Sequence, residues 1–201
     1  MASKLFDDLL LQGIRAGKMP AREASSRDWF RDKAKNIGQI STDRLLREAG
    51  KDRLKDPTNF RVGDLYMFAY DPKHKDTLPY YDKFPVIFPI GEAKGGFYGI
   101  NFHYLPYPLR AKLMDALYDI VNNKDYDTNT RVKLSYQILN SASKFKVFQP
   151  TLKHYLYSHV RSRLIYVNPS EWDIAIFLPV ERFVGASKTA VWKASRASLR
   201  R

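Results

Sequence analysis

Three residues between positions 82 and 94 have the types and the order that some metal-dependent nucleases use. Nucleases of the restriction-enzyme type place an Asp, and then Glu-x-Lys, on adjoining strands, where the carboxylates hold Mg²⁺ and the lysine stabilises charge. Here Asp82 precedes Glu92-Ala93-Lys94, with an apolar stretch between them. Glu92 and Lys94 lie between Gly91 and Gly95-Gly96, however, and we expect so flexible a turn to give a site too little support. The pattern therefore predicts no catalytic residues, and a metal-dependent nuclease is kept only as the third hypothesis.

Other motifs for catalysis or for binding a cofactor are absent from the sequence. It contains no cysteine, no Gly-x-Ser-x-Gly and no Gly-rich loop ending in Gly-Lys-Ser/Thr. His154 and His159 are five residues apart, which misses the spacing of three or four that shares a helix face. We expect no metal site and no cofactor. The absence of cysteine favours a reducing, intracellular origin, and no apolar run is long enough to predict a membrane partner.

Basic residues are the strongest chemical signal. The chain carries 34 Lys and Arg against 21 Asp and Glu, a formal net charge of +13. The imbalance is greatest at the carboxyl end, where residues 151–201 hold nine basic and three acidic side chains and no acid follows Glu181. Such a field attracts polyanions, and phosphate contacts give affinity that is independent of sequence and sensitive to salt. The alternative is that these charges only keep the protein soluble.

Two clusters could contact DNA phosphates. The first follows Ser143 and also includes His154; its proposed DNA contacts are Lys144, Lys146, Lys153, Arg161 and Arg163. The second surrounds Trp192 and consists of Arg182, Lys188, Lys193 and Arg196. Trp192 and Phe145 could stack on an unpaired base at a DNA terminus. At their helical spacing, Phe145, Tyr155 and Trp192 could equally be core or interface residues.

The first 58 residues predict a helical arm. Ser3 can cap a helix with Leu5, Phe6, Leu9, Leu10 and Ile14 on one face; a second helix is expected over 25–37, and Ser41 or Thr42 opens a third. Residues 50–58 are charged and broken by proline, which is typical of a linker. The amphipathic arm 1–58 can dock into a neighbouring subunit or pack onto its own domain.

Residues 59–181 predict an α+β core domain. We expect strands over 62–70, 84–90, 97–105, 164–167 and 174–178, with the prolines of the second indicating an edge or a bulge. A helical insertion, 106–160, would hold helices beginning near Pro106, at Thr128 or Asn129 with Tyr136 inward, and at Pro150. About five strands suit a small curled antiparallel sheet or an SH3-like barrel. A basic helix opened by Ser187 occupies the tail, 182–201.

Several ordered stretches resemble a known family. They are Tyr66-Met67-Phe68-Ala69-Tyr70-Asp71-Pro72-Lys73, Leu78-Pro79-Tyr80-Tyr81-Asp82-Lys83-Phe84-Pro85, Gly96-Phe97-Tyr98-Gly99-Ile100-Asn101-Phe102-His103-Tyr104-Leu105-Pro106, Ser141-Ala142-Ser143-Lys144, Glu171-Trp172-Asp173-Ile174-Ala175-Ile176-Phe177-Leu178-Pro179 and Ala186-Ser187-Lys188. Together, over about residues 25–196, they resemble the DNA end protector proteins of T-even-type tailed phages, particularly the short marine-phage-like form. Several blocks in order are more specific than one short motif.

The resemblance implies a virion protein that binds and protects the double-stranded ends of the packaged genome. It implies a place at the head–tail neck, with portal, neck and head-completion proteins as partners, and the host cytoplasm as its location during assembly. A homo-oligomer is a further expectation. The family supplies no catalytic motif to carry over, so the expected function is not enzymatic. The second hypothesis is a structural head–tail connector or head-completion protein that faces the DNA channel.

Overall fold

The computed structural model describes residues 4–18, 23–121, 123–146 and 148–197, and in these ranges the chain has the predicted α+β character. The described residues form seven α-helices: α1 (Lys4–Arg15), α2 (Ala24–Lys35), α3 (Thr42–Glu48), α4 (Tyr107–Val121), α5 (Thr128–Lys144), α6 (Trp172–Phe177) and α7 (Lys188–Ala197). They also form eight β-strands: β1 (Leu54–Lys55), β2 (Leu65–Met67), β3 (Tyr81–Asp82), β4 (Val86–Ala93), β5 (Gly96–Asn101), β6 (Leu152–Leu156), β7 (Leu164–Val167) and β8 (Phe183–Val184). None of the described helices combines the length and apolar character that crossing a membrane requires.

Side-chain caps fix where several helices begin. The Ser41 hydroxyl accepts a hydrogen bond from the Arg44 N–H at 3.2 Å, which confirms Ser41 as the cap of α3. Ser187 likewise accepts from the Ala190 N–H at the start of α7. The cap of α5 is Asp127, one residue before the predicted Thr128 or Asn129, and its carboxylate accepts from the Thr130 N–H at 2.7 Å. The prediction for Ser3 falls outside the described residues.

Six strands form one antiparallel sheet in the order β1-β7-β2-β4-β5-β6, and β3 pairs with β8 beside it. Because β1 and β6 lie at opposite edges, the sheet is open and is not closed into a barrel. The late strand β7 pairs with the early strand β2. Pro89 of β4 marks a bulge, with the register shifting between Pro89 and Gly91. Because β4 is central in the sheet, the bulge is the confirmed one of the two predicted alternatives, edge or bulge.

Two predicted elements have the opposite secondary structure. Residues from Pro150 form a short 3-10 turn and then β6, not a helix, and β6 pairs along the whole of β5. Without β6, the outer N–H and C=O groups of β5 would lack hydrogen-bond partners. The need to pair these groups outweighs the helix that the spacing of the apolar residues predicted. Residues 174–178 belong largely to α6, not to a strand. A short, continuous apolar run fits a buried helix and a buried strand equally well, so spacing alone could not decide.

Smaller corrections concern the linker and two side chains. Residues 50–58 are not a free linker, because they contain β1, which pairs with β7. The turn between β4 and β5 is only Lys94-Gly95, where Gly95 has a φ of +72° that suits glycine. Ile14 and Tyr136 were predicted to face inward, but both are exposed.

The main core lies between one face of the sheet and the helices. Leu65, Met67 and Ile100 supply the sheet side of this cluster, and α1, α2, α3, α4, α5 and α6 supply the other. Phe6 of α1 and Phe30 of α2 are almost fully buried in it. The apolar side of the predicted arm therefore packs onto its own chain, which was one of its two alternatives.

The second face of the sheet carries a smaller, strongly aromatic cluster. Its buried members come from strands and connecting loops and not from helices: Tyr66, Phe68, Tyr70, Ile87, Phe97, Tyr155 and Leu164. Phe68 and Tyr155 meet edge to face, with ring centroids 5.3 Å apart. No α-helix among the described residues contributes to this cluster, so no layer of helices covers this face of the sheet.

Buried ion pairs tie the N-terminal helices to α6 and its preceding turn. Arg31 of α2 donates to Asp173 at 2.6 Å and to Asp115 of α4 at 2.7 Å. Arg53 makes two hydrogen bonds to Glu171, and both side chains are buried. Pairing compensates for the loss of hydration, so removing one partner leaves an uncompensated charge.

We expect Glu171→Ala to lower the free energy of unfolding by about 3 kcal/mol, because it leaves the Arg53 guanidinium buried without its carboxylate. Urea unfolding would measure the change. Glu48→Ala is the matched control: it breaks the surface pair with Arg44 and should change stability little. Equal losses in the two variants would contradict the role given to the buried pair.

Candidate nucleic-acid interface

A cavity of about 440 Å³ opens on the second face of the sheet, beyond the aromatic cluster. The loop of residues 71–80 and β3 form one side, and β6 forms the other. Tyrosines dominate the lining, together with basic side chains from both sides; the lining residues that matter below are Tyr70, Tyr80, Tyr81, Tyr104, Tyr155, Asp82, Asn101, Lys73, His74 and Lys153. The volume is within the range of small-molecule pockets in proteins.

Lys153 places its ammonium group inside this cavity. It lies on β6 opposite Gly99 of β5, and its Nζ is 4.1 Å from the centre of the Tyr104 ring. Within the described residues no carboxylate lies within salt-bridge distance of it. Burial alone lowers the pKa of Lys153 from its ordinary 10.5 to about 8. A desolvated cation without an anion opposes folding, and such a feature is typical of a binding site.

Asp82 forms the floor of the cavity and is fully buried. One carboxylate oxygen lies 2.6 Å from Nδ1 of His103 and accepts from the Asn101 amide at 3.1 Å. The other accepts the backbone N–H groups of Phe84 and Arg182, at 3.1 and 3.0 Å. Burial pushes the pKa of Asp82 up, but the imidazole and the two N–H groups outweigh it, so the pKa is lowered. The carboxylate is thus held ionised and fully paired.

The 3-10 turn of residues Phe102–Tyr104 contacts one residue from each of the two predicted basic clusters. Tyr104 contacts Lys153 of the first cluster, and the carbonyl of His103 accepts from Nε1 of Trp192 in the second at 2.8 Å. The buried Arg110 donates to the carbonyls of Leu105, Ile176 and His103 and so fixes this turn from below.

Three of the predicted contact residues are already engaged within the chain. Arg182 donates to the carbonyls of Ile40, Pro179 and Glu181. Lys188 forms a salt bridge with Glu181 at 2.7 Å and lies over the ring of Trp192. Trp192 is itself half-buried and packs on Tyr107, so its ring face is not open for stacking on a base.

The remaining predicted residues are exposed. Arg161 lies 3.6 Å from Asp71, a weak surface pair. Phe145 is 62% exposed at the end of α5, so of the two predicted stacking residues only Phe145 presents its ring to solvent. Five basic side chains are exposed and form no salt bridge with another described residue; they are Lys144, Lys146, Arg163, Lys193 and Arg196.

The three residues considered for a nuclease occupy quite different environments. Asp82 has both oxygens engaged inside the protein, whereas Glu92 is exposed in β4 and pairs with Phe97 across the hairpin. Glu92 was predicted to lie in a turn, but it belongs to β4, so that prediction was wrong. Among the described residues no three His, Asp or Glu side chains come together as a metal site.

The cavity itself was missed by reasoning from sequence. Among the residues that line it, only Lys153 was predicted to contact DNA. Residues 152–156 were predicted to be helical, and two residues that are two apart do not share a face of a helix. On a strand they do, so Lys153 and Tyr155 share one face. The residues of β6, Leu-Lys-His-Tyr-Leu, do not alternate between apolar and polar types, so hydrophobic alternation did not indicate this strand.

We expect Lys153→Met to raise the free energy of unfolding at pH 7 by about 2–3 kcal/mol, because it removes an unpaired ammonium whose pKa burial has lowered. The lysine opposes folding fully below pH 8, and this opposition fades as the pH rises from about 8 to 10.5. The stability gap between variant and wild type should therefore narrow over that range. Urea unfolding across pH measures it, with the exposed Lys133→Met as control; no gap at pH 7 would contradict the desolvation of Lys153.

The family comparison agrees with the resemblance seen in the sequence. A model of the Phage T4 terminal DNA protecting protein family matches residues 10–198, well over half of the chain. No significant match was found among the curated proteins or the solved structures. The chain belongs to the Phage T4 terminal DNA protecting protein family.

Proposed function

We propose that this virion protein protects the ends of packaged linear DNA by covering them through a basic, sequence-independent surface, without catalysis. The family to which the chain belongs supports protection of DNA termini. The observation that carries the mechanism is that five of the predicted contact residues are exposed and form no salt bridge with another described residue: Lys144, Lys146, Arg163, Lys193 and Arg196. Such side chains can neutralise phosphates without first breaking an internal pair.

The engaged cations have a different role in this proposal. Arg182 and Lys188 are bound within the chain and hold α7 and the preceding segment in place. Lys193 and Arg196, farther along α7, then extend to the DNA backbone from a positioned helix. We assign DNA contact in the tail segment 182–201 mainly to these two. Arg161, paired loosely with Asp71, can exchange that partner for a phosphate.

The first test is protection from an exonuclease. The variant with Lys144, Lys146, Lys193 and Arg196 all changed to Ala should lose most protection of a linear duplex, because four phosphate contacts are removed. The slope of log K against log salt should fall by roughly 3 to 4. Nuclease digestion of end-labelled linear DNA, and binding at several salt concentrations, measure these effects.

A control variant with the same change in net charge tests whether the proposed contact residues, or only the net charge of the protein, hold DNA. Lys94, Lys112, Lys124 and Lys133 are also exposed and are not among the proposed contact residues. Changing all four to Ala removes the same charge and should leave protection nearly intact. Equal loss in both quadruple variants would mean that general charge, not this surface, holds DNA. Equal binding of linear DNA and closed circles by the wild type would overturn end recognition.

The neck location and its protein partners form the second part of the proposal. We propose that the protein sits at the head–tail neck, where a packaged end would meet portal and head-completion proteins, after assembly in the host cytoplasm. Leu11 and Ile14 on α1 support a protein contact, because they are 51% and 57% exposed and lie three residues apart on one face. The same patch would serve a homo-oligomer or a connector ring.

We expect Leu11→Ser with Ile14→Ser to weaken assembly and to leave folding and DNA protection unchanged, since neither side chain is buried. Sedimentation measures self-association, and co-purification with portal and head-completion proteins measures the other contacts. Tyr136→Ser, at another exposed residue, is the control. A ring that binds circles and linear DNA alike would favour the connector alternative. Unchanged assembly in the double variant would contradict the α1 contact.

A further inference from the structure

The tyrosine-lined cavity has walls, charge and size that suit one nucleotide. Its side walls are aromatic rings, its floor is the paired Asp82 carboxylate, and the Lys153 ammonium lies against Tyr104 within it. Lys73 and His74 are exposed at its rim. Aromatic rings bind any base by stacking, and lysine binds phosphate as a point charge.

We propose that this cavity receives an unpaired terminal nucleotide of the DNA strand, with its base among the tyrosines and its phosphate at Lys153. This inference rests on the proposed function, since it assigns to a particular site the recognition of the end. Tyr80 and Tyr104 come from two different segments of the lining, and their ring centroids are 6.1 Å apart. Lys73 and His74 at the rim can then meet the phosphate of the preceding nucleotide.

The dimensions of the cavity explain why an end would be chosen. A volume of about 440 Å³ admits one nucleotide, whereas the double helix, whose major groove alone is about 12 Å wide, cannot enter. A nucleotide must therefore leave the base stack before it binds. Leaving the stack is least unfavourable for a base that is already unpaired. Internal positions of a closed duplex offer no such base.

Lys153 gives the site a dependence on pH. The Lys153 ammonium lies against the ring of Tyr104, and the other titratable groups that line the cavity are Asp82, Tyr155, Tyr70, Tyr80, Tyr81, Lys73, His74 and His154. Burial raises the pKa of Tyr104 and of Tyr155, and the pKa of Asp82 is lowered, so none of these three titrates between pH 7 and 9. Over this range Lys153 loses its proton, because burial lowers its pKa to about 8.

The test measures binding of three DNAs of the same sequence: a linear duplex with two unpaired nucleotides at each end, a blunt duplex, and a closed circle. The wild type should bind the frayed duplex best. Lys153→Met should lower that affinity about tenfold or more, and Tyr80→Leu about fivefold or more. The matched controls Lys133→Met and Tyr136→Leu change exposed residues of α5 and should have little effect. Unchanged affinity for the frayed duplex in Lys153→Met would overturn the inference.

A pH series with the same frayed duplex adds a readout that a merely structural lysine would not give. Wild-type affinity should fall as pH rises from 7 to 9, whereas Lys153→Arg, which stays protonated, should not respond. A flat wild-type profile would overturn the contact between Lys153 and phosphate. Free deoxynucleoside monophosphate should compete only weakly, since it lacks the surface contacts; competition as strong as that of the DNA end would identify a free-nucleotide site instead.

The outcomes separate this inference from the proposed function. If the pocket variants protect linear DNA as well as the wild type while the quadruple surface variant does not, the cavity inference fails and the proposed function stands. If the wild type itself shows no preference for linear DNA over circles, the proposed function fails. Retention of native unfolding cooperativity in Lys153→Met and Tyr80→Leu excludes loss of folding as the cause.

Discussion

The arrangement of the candidate site depends on one buried carboxylate, that of Asp82. A buried negative charge persists only when its oxygens are paired, and Asp82 meets this need with His103, Asn101 and two backbone N–H groups. Those groups belong to segments far apart in the chain. The same four hydrogen bonds therefore set the floor of the cavity, hold the Phe102–Tyr104 turn on which Lys153 packs, and fix where the C-terminal basic segment begins.

The excess of positive charge divides into two structurally different populations. Arg31, Arg53 and Arg110 are buried and bound to carboxylates or carbonyls, so they maintain the fold and offer nothing to an external anion. Lys144 and Lys193 are exposed and form no salt bridge with described residues. Net charge alone thus overstates the basic surface. Of these two populations only the second can respond to salt in a binding experiment, and Lys153, buried without a carboxylate partner, belongs to neither.

Sequence patterns predicted what is local and failed where distant segments compete. The Ser41 cap and the β4 bulge follow from a few neighbouring residues, and both were found. Residues 152–156 have helical spacing, but an unpaired strand edge elsewhere in the chain decides their structure. The same holds for the candidate site. Lys153 was predicted as a surface contact, but it is buried against Tyr104, in a turn about fifty positions earlier in the sequence. The exposed part of the site was predictable; the cavity was not.

A basic surface by itself cannot tell an end from the middle of a duplex, because both present the same phosphates at the same spacing. Selection of an end requires a feature that only the end has, and the free terminal base is one. In the proposed arrangement the cavity receives such a base, and the exposed cations supply affinity that any duplex would share. The affinity for DNA and the selectivity for a DNA end then come from different residues, so a substitution can change one without changing the other. The unpaired Lys153 fits this division, since a desolvated cation opposes folding and gains its anion only when the terminus is bound.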